Sequence, residues 1–376
     1  MGLEEYRKEI DDIDSQLIKL FERRMDVATK VGKYKLENNL PVFNGVREAE
    51  VIQKNVDRLN NKEYAPYAKN YFNYIMGLSR ELQHKILDLK EEIVINNSKL
   101  DLENVVVGFP GVNGSFSEEA MERFFGKSIK NKCYEEFEDV FMALKNDEID
   151  YCILPIENSS TGAVTQVYDL INKYNCHIVG EQYVKIDQNL LGVKGCTLDT
   201  IKEVYSHPQG FAQSTEFLRN YKDWNQIPYH NTAISAKLVC DLKDITKAAI
   251  GSKKAAECYG LEIIKEGINN QSENHTRFVV LSKELIANEE SDKISIIISL
   301  EDEVGTLYSL LRNFAENNIN LKKIESRPIK NSPWKYILYL DFEGSIFNEE
   351  VKSALKLIQE NSKYFKVLGN YAKNPE

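Results

Sequence analysis

Arg24, Lys35, Arg47, Glu48, Ser79 and Gln83 form a set of cations and hydrogen-bonding groups that suits a small polyanion with one further neutral oxygen. Lys35 follows Arg24 by eleven residues, which on a helix places the two cations on one face, about 20° apart in azimuth and roughly 16 Å apart along the axis. Ser79 and Gln83, at i and i+4, project side by side. Arg24 interrupts an apolar seam, where an unpaired guanidinium would cost several kcal/mol, so it meets either a structural acid such as Glu22 or Asp26 or a bound anion. Arg7 shares the helix but stands about 25 Å from Arg24 and roughly 100° round it. One small ligand cannot touch both in one chain, so any contribution from Arg7 comes from the partner helix of a dimer. No nucleophile accompanies the set.

A second group of chemistry-bearing residues lies on four segments in which small polar residues follow apolar runs: GFPGVNGSFS (108–117), PIENSSTG (155–162), YSHPQGFAQ (205–213) and NHTRF (274–278). The first lacks the Lys-Ser/Thr of a phosphate loop, yet a helix opening at Ser115 offers free backbone N–H groups to a carboxylate. No GxGxxG follows a strand, which argues against a dinucleotide-dependent dehydrogenase. Ser206 and His207 are strand neighbours facing opposite sides and there is no GxSxG elbow, so a Ser-His triad is not expected. Glu157 reads in isolation as either a helix-initiating acid or a site residue.

The elements that position these residues change period twice along the chain. With 376 residues, more than one hydrophobic core is expected. The first stretch is helical: Leu3, Tyr6, Ile10, Ile13, Leu17, Leu20, Val27, Val31 and Tyr34 step by threes and fours until Pro41 forbids continuation. A helix over about 3–37 would be roughly 50 Å long, too long for a compact bundle of its own, so it is expected to pack on a second copy. Helices over about 46–60 and 65–91 complete an all-α unit, and a polar-rich linker follows at 91–104. From Val105, short apolar runs alternate with amphipathic helices, an α/β pattern whose loops at strand ends are where a ligand cleft belongs. From Lys293 the order is strand, helix, strand, turn at 330–333, strand, helix, strand: the βαββαβ arrangement of ferredoxin-like folds.

Composition narrows the function classes. Hydrophobic residues at 42% and charged residues at 28% fit globular domains, and a net charge of −10 argues against a nucleic-acid partner. The charged N-terminus lacks an apolar signal core and no run approaches a membrane span, so no membrane partner and a cytoplasmic location are expected. The 6 cysteines form no CxxC and the 5 histidines no HxxxH or HExxH, so neither a disulfide framework, a metal site nor a cofactor is expected.

The first 90 or so residues resemble the all-helical mutase domain of the bifunctional chorismate mutase/prephenate dehydratases, and the order of the four central segments resembles prephenate dehydratase. ESRP (Glu325 to Pro328) matches the regulatory ACT module of this family, while GTLY (Gly305 to Tyr308) departs from its usual GALV. The resemblance implies a multidomain α and α/β protein: an all-α three-helix mutase domain over 1–92, an intertwined dimer; a two-lobed, periplasmic-binding-protein-like α/β dehydratase domain over 104–282; and a ferredoxin-like ACT domain over 293–371.

In the mutase domain it implies that Arg24 and Arg47, with Arg7 of the other subunit, hold the carboxylates of chorismate, that Lys35 and Gln83 reach the ether oxygen, and that Glu48 and Ser79 complete the polar contacts. Asn44 stands where the best-known members carry Asp to meet the substrate hydroxyl. In the dehydratase domain it implies that Thr276 assists departure of the prephenate ring hydroxyl, that Glu157, Asn158, Ser206 and Gln213 line the pocket, and that Arg277 meets a carboxylate. In the ACT domain it implies that Leu307, Glu325, Ser326 and Arg327 bind L-phenylalanine as feedback inhibitor, in a homodimer or homotetramer. Two other readings are a monofunctional dehydratase with a vestigial mutase-like dimerisation domain, distinguished by chorismate consumption, and a non-catalytic metabolite sensor, distinguished by phenylpyruvate formation.

Overall fold

A computed structural model of the chain describes residues 2–38, 40, 42, 44–87, 96–98, 100, 102, 104–329 and 335–374. It divides into two units, Met1–Ile93 and Val94–Glu376. Among the described residues no helix is long and apolar enough to cross a membrane.

Among its described residues the first unit holds the α-helices α1 (Leu3–Glu37), α2 (Gly45–Asp57) and α3 (Ala65–Leu87), with a short 3-10 turn at Lys62–Tyr64 before the last. Residues 88–91 of the expected third helix lie outside the described residues. α2 starts where Asn44 Oδ1 accepts from Arg47 N at 3.0 Å, an N-cap that satisfies one of the free donors of the first turn. Gly32 costs α1 some helix propensity but lets α3 approach: a Cβ there would stand 3.0 Å from Gln83 Cγ. The apolar side of α1 is mostly uncovered, with Ile10 56%, Ile13 49%, Leu17 47% and Leu20 61% exposed. A continuous apolar stripe of that length marks a binding face rather than a solvent face.

The second unit begins with β1 (Asn96–Asn97), the part of the expected linker that is described, which lies parallel to a late strand. Then follow β2 (Val106–Pro110), α4 (Phe116–Phe125), β3 (Lys130–Tyr134), α5 (Phe137–Lys145), β4 (Tyr151–Asn158), β5 (Gly162–Ala163), α6 (Thr165–Tyr174) and β6 (His177–Lys185). The chain crosses to a second lobe of β7 (Asn189–Gly192), β8 (Glu203–Ser206), α7 (Pro208–Ala212), α8 (Thr215–Leu218), β9 (Asn225–Pro228), α9 (Thr232–Leu242), β10 (Lys247–Gly251), α10 (Lys253–Tyr259) and β11 (Glu262–Lys265), in sheet order β11-β7-β10-β8-β9. It returns as β12 (His275–Ser282), inserted between β4 and β6 to give the order β3-β2-β4-β12-β6, and β13 (Ile286–Ala287) is the strand that β1 joins. Asn269 ties the two crossings together, accepting from Gln188 N at 2.7 Å and donating to Ile186 O at 2.5 Å.

The remaining elements are β14 (Lys293–Ser299), α11 (Thr306–Glu316), β15 (Leu321–Pro328), β16 (Tyr336–Glu343), α12 (Glu349–Glu360) and β17 (Tyr364–Tyr371), in an antiparallel sheet β15-β16-β14-β17. The turn expected at 330–333 lies outside the described residues. β14 is buried on both faces. Ile294, Ile296 and Ile298 pack with Leu310, Phe314 and Leu355 of the two helices, while Ile297 joins the core of the first lobe with Leu281 and Val279. This sheet is therefore sandwiched, and its outer face is the back wall of β4, β12 and β6. Gly369 is needed there, because a Cβ would meet Ile178 O at 2.1 Å.

Candidate functional sites

In the helical unit the structure sets Arg24 against Ser79, Lys35 near Glu48, and Gln83 against Gly32 of α1. Among the described residues no acid pairs with Arg24. Arg24 donates to Ile75 O at 3.0 Å and to the Ser79 hydroxyl, and burial pulls its pKa below the ordinary value. Lys35 donates to Val42 O at 2.6 Å, and its pKa is also lowered by burial, opposed by the nearby Glu48 carboxylate. Glu48 pairs with Arg80, a cation the sequence reading passed over although it follows Ser79 directly. Gln83 is buried against Gly32 of α1, and among the described residues its Oε1 has no partner. Arg47 pairs with Glu50 at 3.2 Å and Arg7 with Glu4 at 2.6 Å, both side chains exposed and outside these contacts. Asn44 has its Oδ1 engaged as the α2 cap.

In the second unit a cavity of about 400 Å³ opens between the lobes, lined by Ser115, Asn158 and Thr276 from one side and His207, Gln209 and Gln213 from the other. Asn158 and Thr276 are cross-strand partners on β4 and β12. Asn158 Oδ1 accepts from Ser160 N at 3.0 Å, Thr161 N at 3.1 Å and Thr161 Oγ1 at 3.2 Å, so the amide can face only one way. Its Nδ2 donates to Asn274 Oδ1 at 2.8 Å and to Thr276 Oγ1 at 2.9 Å. The threonine oxygen thus already accepts a hydrogen bond, and its own hydrogen is left for whatever enters the cavity.

Among the described residues no Lys or Arg lines this cavity. Positive potential comes instead from the starts of α4 and α9, capped by Ser115 (accepting from Glu118 N at 3.2 Å) and Asn231 (accepting from Ile234 N at 2.7 Å). His207 accepts from Gln209 N through Nδ1 at 3.1 Å, and burial lowers its pKa, which keeps the ring neutral with Nε2 as donor. Gln209 reaches across the lobes to Thr161 Oγ1 at 2.8 Å, and Gln188 donates to Gln213 Oε1 at 3.1 Å. Sequence reasoning missed Gln188, Gln209 and Asn274. The last lies inside the quoted NHTRF segment, whereas Gln188 belongs to a lobe crossing with no pattern of its own.

Three expected contacts are corrected. Glu157 and Arg277 alternate with Asn158 and Thr276 along their strands, so they face the back of the sheet and not the cavity. There Arg277, 5% exposed, is held by Glu181 at 2.7 Å, Asp341 at 2.6 Å and Tyr371 Oη at 2.8 Å, and Glu157 by Lys323 at 2.8 Å. Ser206 is fully buried and donates to Ile250 O at 3.3 Å, beneath Gly210. Of the expected effector residues, Leu307 is 48% exposed, Ser326 is exposed, Glu325 is half-buried and Arg327 stands 3.5 Å from Asp169. Among the described residues no group of three or more His, Cys, Asp or Glu is placed to hold a metal ion.

Family models for chorismate mutase type II and prephenate dehydratase match residues 6–84 and 107–286. The chain is 32% identical over 375 residues to the bifunctional chorismate mutase/prephenate dehydratase of Buchnera aphidicola from Acyrthosiphon pisum, covering 97% of this chain and 95% of that one. The Arthrobacter aurescens prephenate dehydratase solved in complex with L-Phe superposes with a TM-score of 0.65 at 28% identity, covering 71% of this chain and 90% of that one. A solved protein described as a novel type of quorum quenching acylase, GqqA, shares the fold alone, with a TM-score of 0.66 at 24% identity over 72% of this chain and 98% of that one. With both family models in tandem and a relative matching end to end, the chain belongs to the bifunctional chorismate mutase/prephenate dehydratase family.

Proposed function

We propose that the chain carries out two consecutive reactions of phenylalanine biosynthesis at the two sites described, in domains spanning 1–92 and 104–282. The helical unit rearranges chorismate to prephenate. Arg24 and Arg47, with Arg7 of a second copy seated on the uncovered face of α1, hold the carboxylates, and Ser79 supports Arg24. Lys35 and Gln83 meet the ether oxygen as charge grows on it, with Gln83 turned to present its N–H. Glu48, held by Arg80, completes the polar surround. The reaction is pericyclic, so catalysis consists of holding the reactive conformer and stabilising the breaking C–O bond.

The cavity then converts prephenate to phenylpyruvate. The ring carboxylate leaves as CO2, its electron pair enters the ring, and the C4–O bond breaks with hydroxide taking a proton to become water. Thr276 donates to the departing oxygen, Asn158 keeps its hydrogen pointed there, and Gln213 and the starts of α4 and α9 orient the carboxylates. That Asn158 fills the acceptor side of the Thr276 hydroxyl is the observation that carries this reading.

The β14–β17 unit, 293–371, is read as an ACT domain that binds L-phenylalanine through Leu307, Glu325, Ser326 and Arg327 at a contact between copies, with a cytoplasmic location to match. The test is a coupled assay from chorismate, following prephenate and phenylpyruvate with and without phenylalanine. Successive appearance of both products, slowed by phenylalanine, is the expected result. Chorismate left unconsumed while added prephenate is dehydrated would reduce the helical unit to a dimerisation device.

A further inference from the structure

The residues next to the Asn158–Thr276 pair are themselves a pair on the other side of the sheet. The register that sets Thr276 opposite Asn158 also sets Arg277 opposite Glu157, and both back-face side chains are gripped by the C-terminal sheet. Lys323 Nζ of β15 lies 2.8 Å from Glu157 Oε2, an ion contact too bent for a directed hydrogen bond, and 5.4 Å from the ring centre of Tyr168. Asp341 Oδ2 of β16 accepts from Arg277 Nη1 at 2.6 Å, and its other oxygen accepts from Ser295 Oγ at 2.6 Å. Lys293 of β14 and Arg277 share Glu181, each at 2.7 Å.

The cluster balances three cations, Arg277, Lys293 and Lys323, against three carboxylates, Glu157, Glu181 and Asp341. Burial of Arg277 works against its charge, but Tyr371, Asp341 and Glu181 override it and hold the guanidinium firmly protonated. Asp341 is held below the usual carboxylate range, because Arg277, Ser295 and Lys293 outweigh its burial. Buried ion pairs of this kind contribute little net stability compared with apolar packing, so a cluster joining two sheets behind a reactive pair calls for another account.

We infer that Lys323 and Asp341 are positioning residues for the dehydratase reaction, acting through Glu157 and Arg277 to fix the Asn158–Thr276 pair at the cavity. The inference rests on the dehydratase reading of that cavity and deepens it: the sheet assigned to effector binding holds the reactive strands from behind. β15 carries both Lys323 and the expected effector residues Glu325–Arg327. A shift of β15 along its own axis would pull first on Glu157, and so on its neighbour Asn158. Misplacement by about 1 Å is enough to cost up to roughly a hundredfold in rate.

The experiment uses the full chain with Lys323→Met, Lys323→Arg and Asp341→Asn, each assayed for phenylpyruvate from prephenate below its own unfolding temperature. Lys323→Met is expected to lower kcat roughly tenfold, equivalent to about 1.4 kcal/mol, with KM within about twofold, and Lys323→Arg to restore most of the loss. If Lys323→Met does not fold, the kcat of Asp341→Asn decides in the same way. Wild-type kcat in these variants, or a loss confined to KM, overturns the positioning role. A wild-type protein that forms no phenylpyruvate from prephenate overturns the dehydratase reading itself, and the inference falls with it.

Discussion

The two sites solve the problem of a small dianion in opposite ways. The helical site uses full charges, Arg24, Lys35 and Arg80 with Glu48 among them, on a unit whose longest apolar face is left uncovered. The cavity between the lobes uses amide and hydroxyl donors and helix starts, is lined within one unit, and among the described residues meets no Lys or Arg, its charged lining being the acids Glu135 and Glu136. The chemistry explains the contrast. In the rearrangement both carboxylates persist, so cations can grip them throughout and one more donor can meet the ether oxygen. In the dehydration one carboxylate departs as neutral CO2, and a cation bound to it would stabilise the starting state more than the transition state. A site of dipoles holds such a group without retaining it.

The sharpest way to break this comparison is to remove the Thr276 hydroxyl proposed to serve the cavity without cations. Thr276→Ala is expected to lower phenylpyruvate formation by roughly a thousandfold, within the range for loss of a positioned proton donor, while chorismate consumption is unchanged. An equal loss of both activities would show that the sites are not independent. On the charged side, Lys35→Ala is expected to cost the mutase about a hundredfold, more than any other single change there, and to leave dehydratase activity intact. Lys35 must be protonated to act and burial lowers its pKa, so mutase activity should fall as pH rises through a value below that of a free lysine. A mutase profile flat up to the ordinary lysine range would remove Lys35 from the reaction.

How much of this was legible in the sequence differs between the two units for a physical reason. Helical periodicity carries α1 from Leu3 to Glu37 and the i, i+4 placement of Ser79 and Gln83, because both are local. Strand periodicity carries β15 as far as Pro328, and it also contains the information that Asn158 and Glu157 face opposite sides. Short motifs override that information when they are read as blocks. NHTRF and PIENSSTG each mix residues of both faces, so Arg277 and Glu157 pass for cavity residues although they belong to the contact with β15 and β16. That contact joins positions 64 apart in the chain, for Arg277 and Asp341, and no local pattern announces it. Arg80 was missed for a milder reason, since a surface-type cation on a helix is informative only once Glu48 is known to face it.

The smallest effect separates the two units by acid. His177, at the start of β6 where that strand meets β17, has its Nδ1 buried without a partner, and burial, reinforced by Lys366, pushes its pKa down to about 4. A histidine whose folded pKa lies below its ordinary value of about 6.5 binds its proton first in the unfolded chain. Stability from the neutral ring is therefore complete above about pH 6.5 and is lost as the pH falls from there toward about 4. In the helical unit the described groups with shifted pKa are Arg24 and Lys35, cations that stay charged throughout this range. Between pH 6.5 and about 4 the unfolding midpoint of the α/β unit should fall, and His177→Gln should flatten that dependence without changing the mutase rate at neutral pH. If His177→Gln leaves the acid slope as it was, the proton uptake that weakens this unit lies elsewhere, and the contact between β6 and β17 is not where the two units differ.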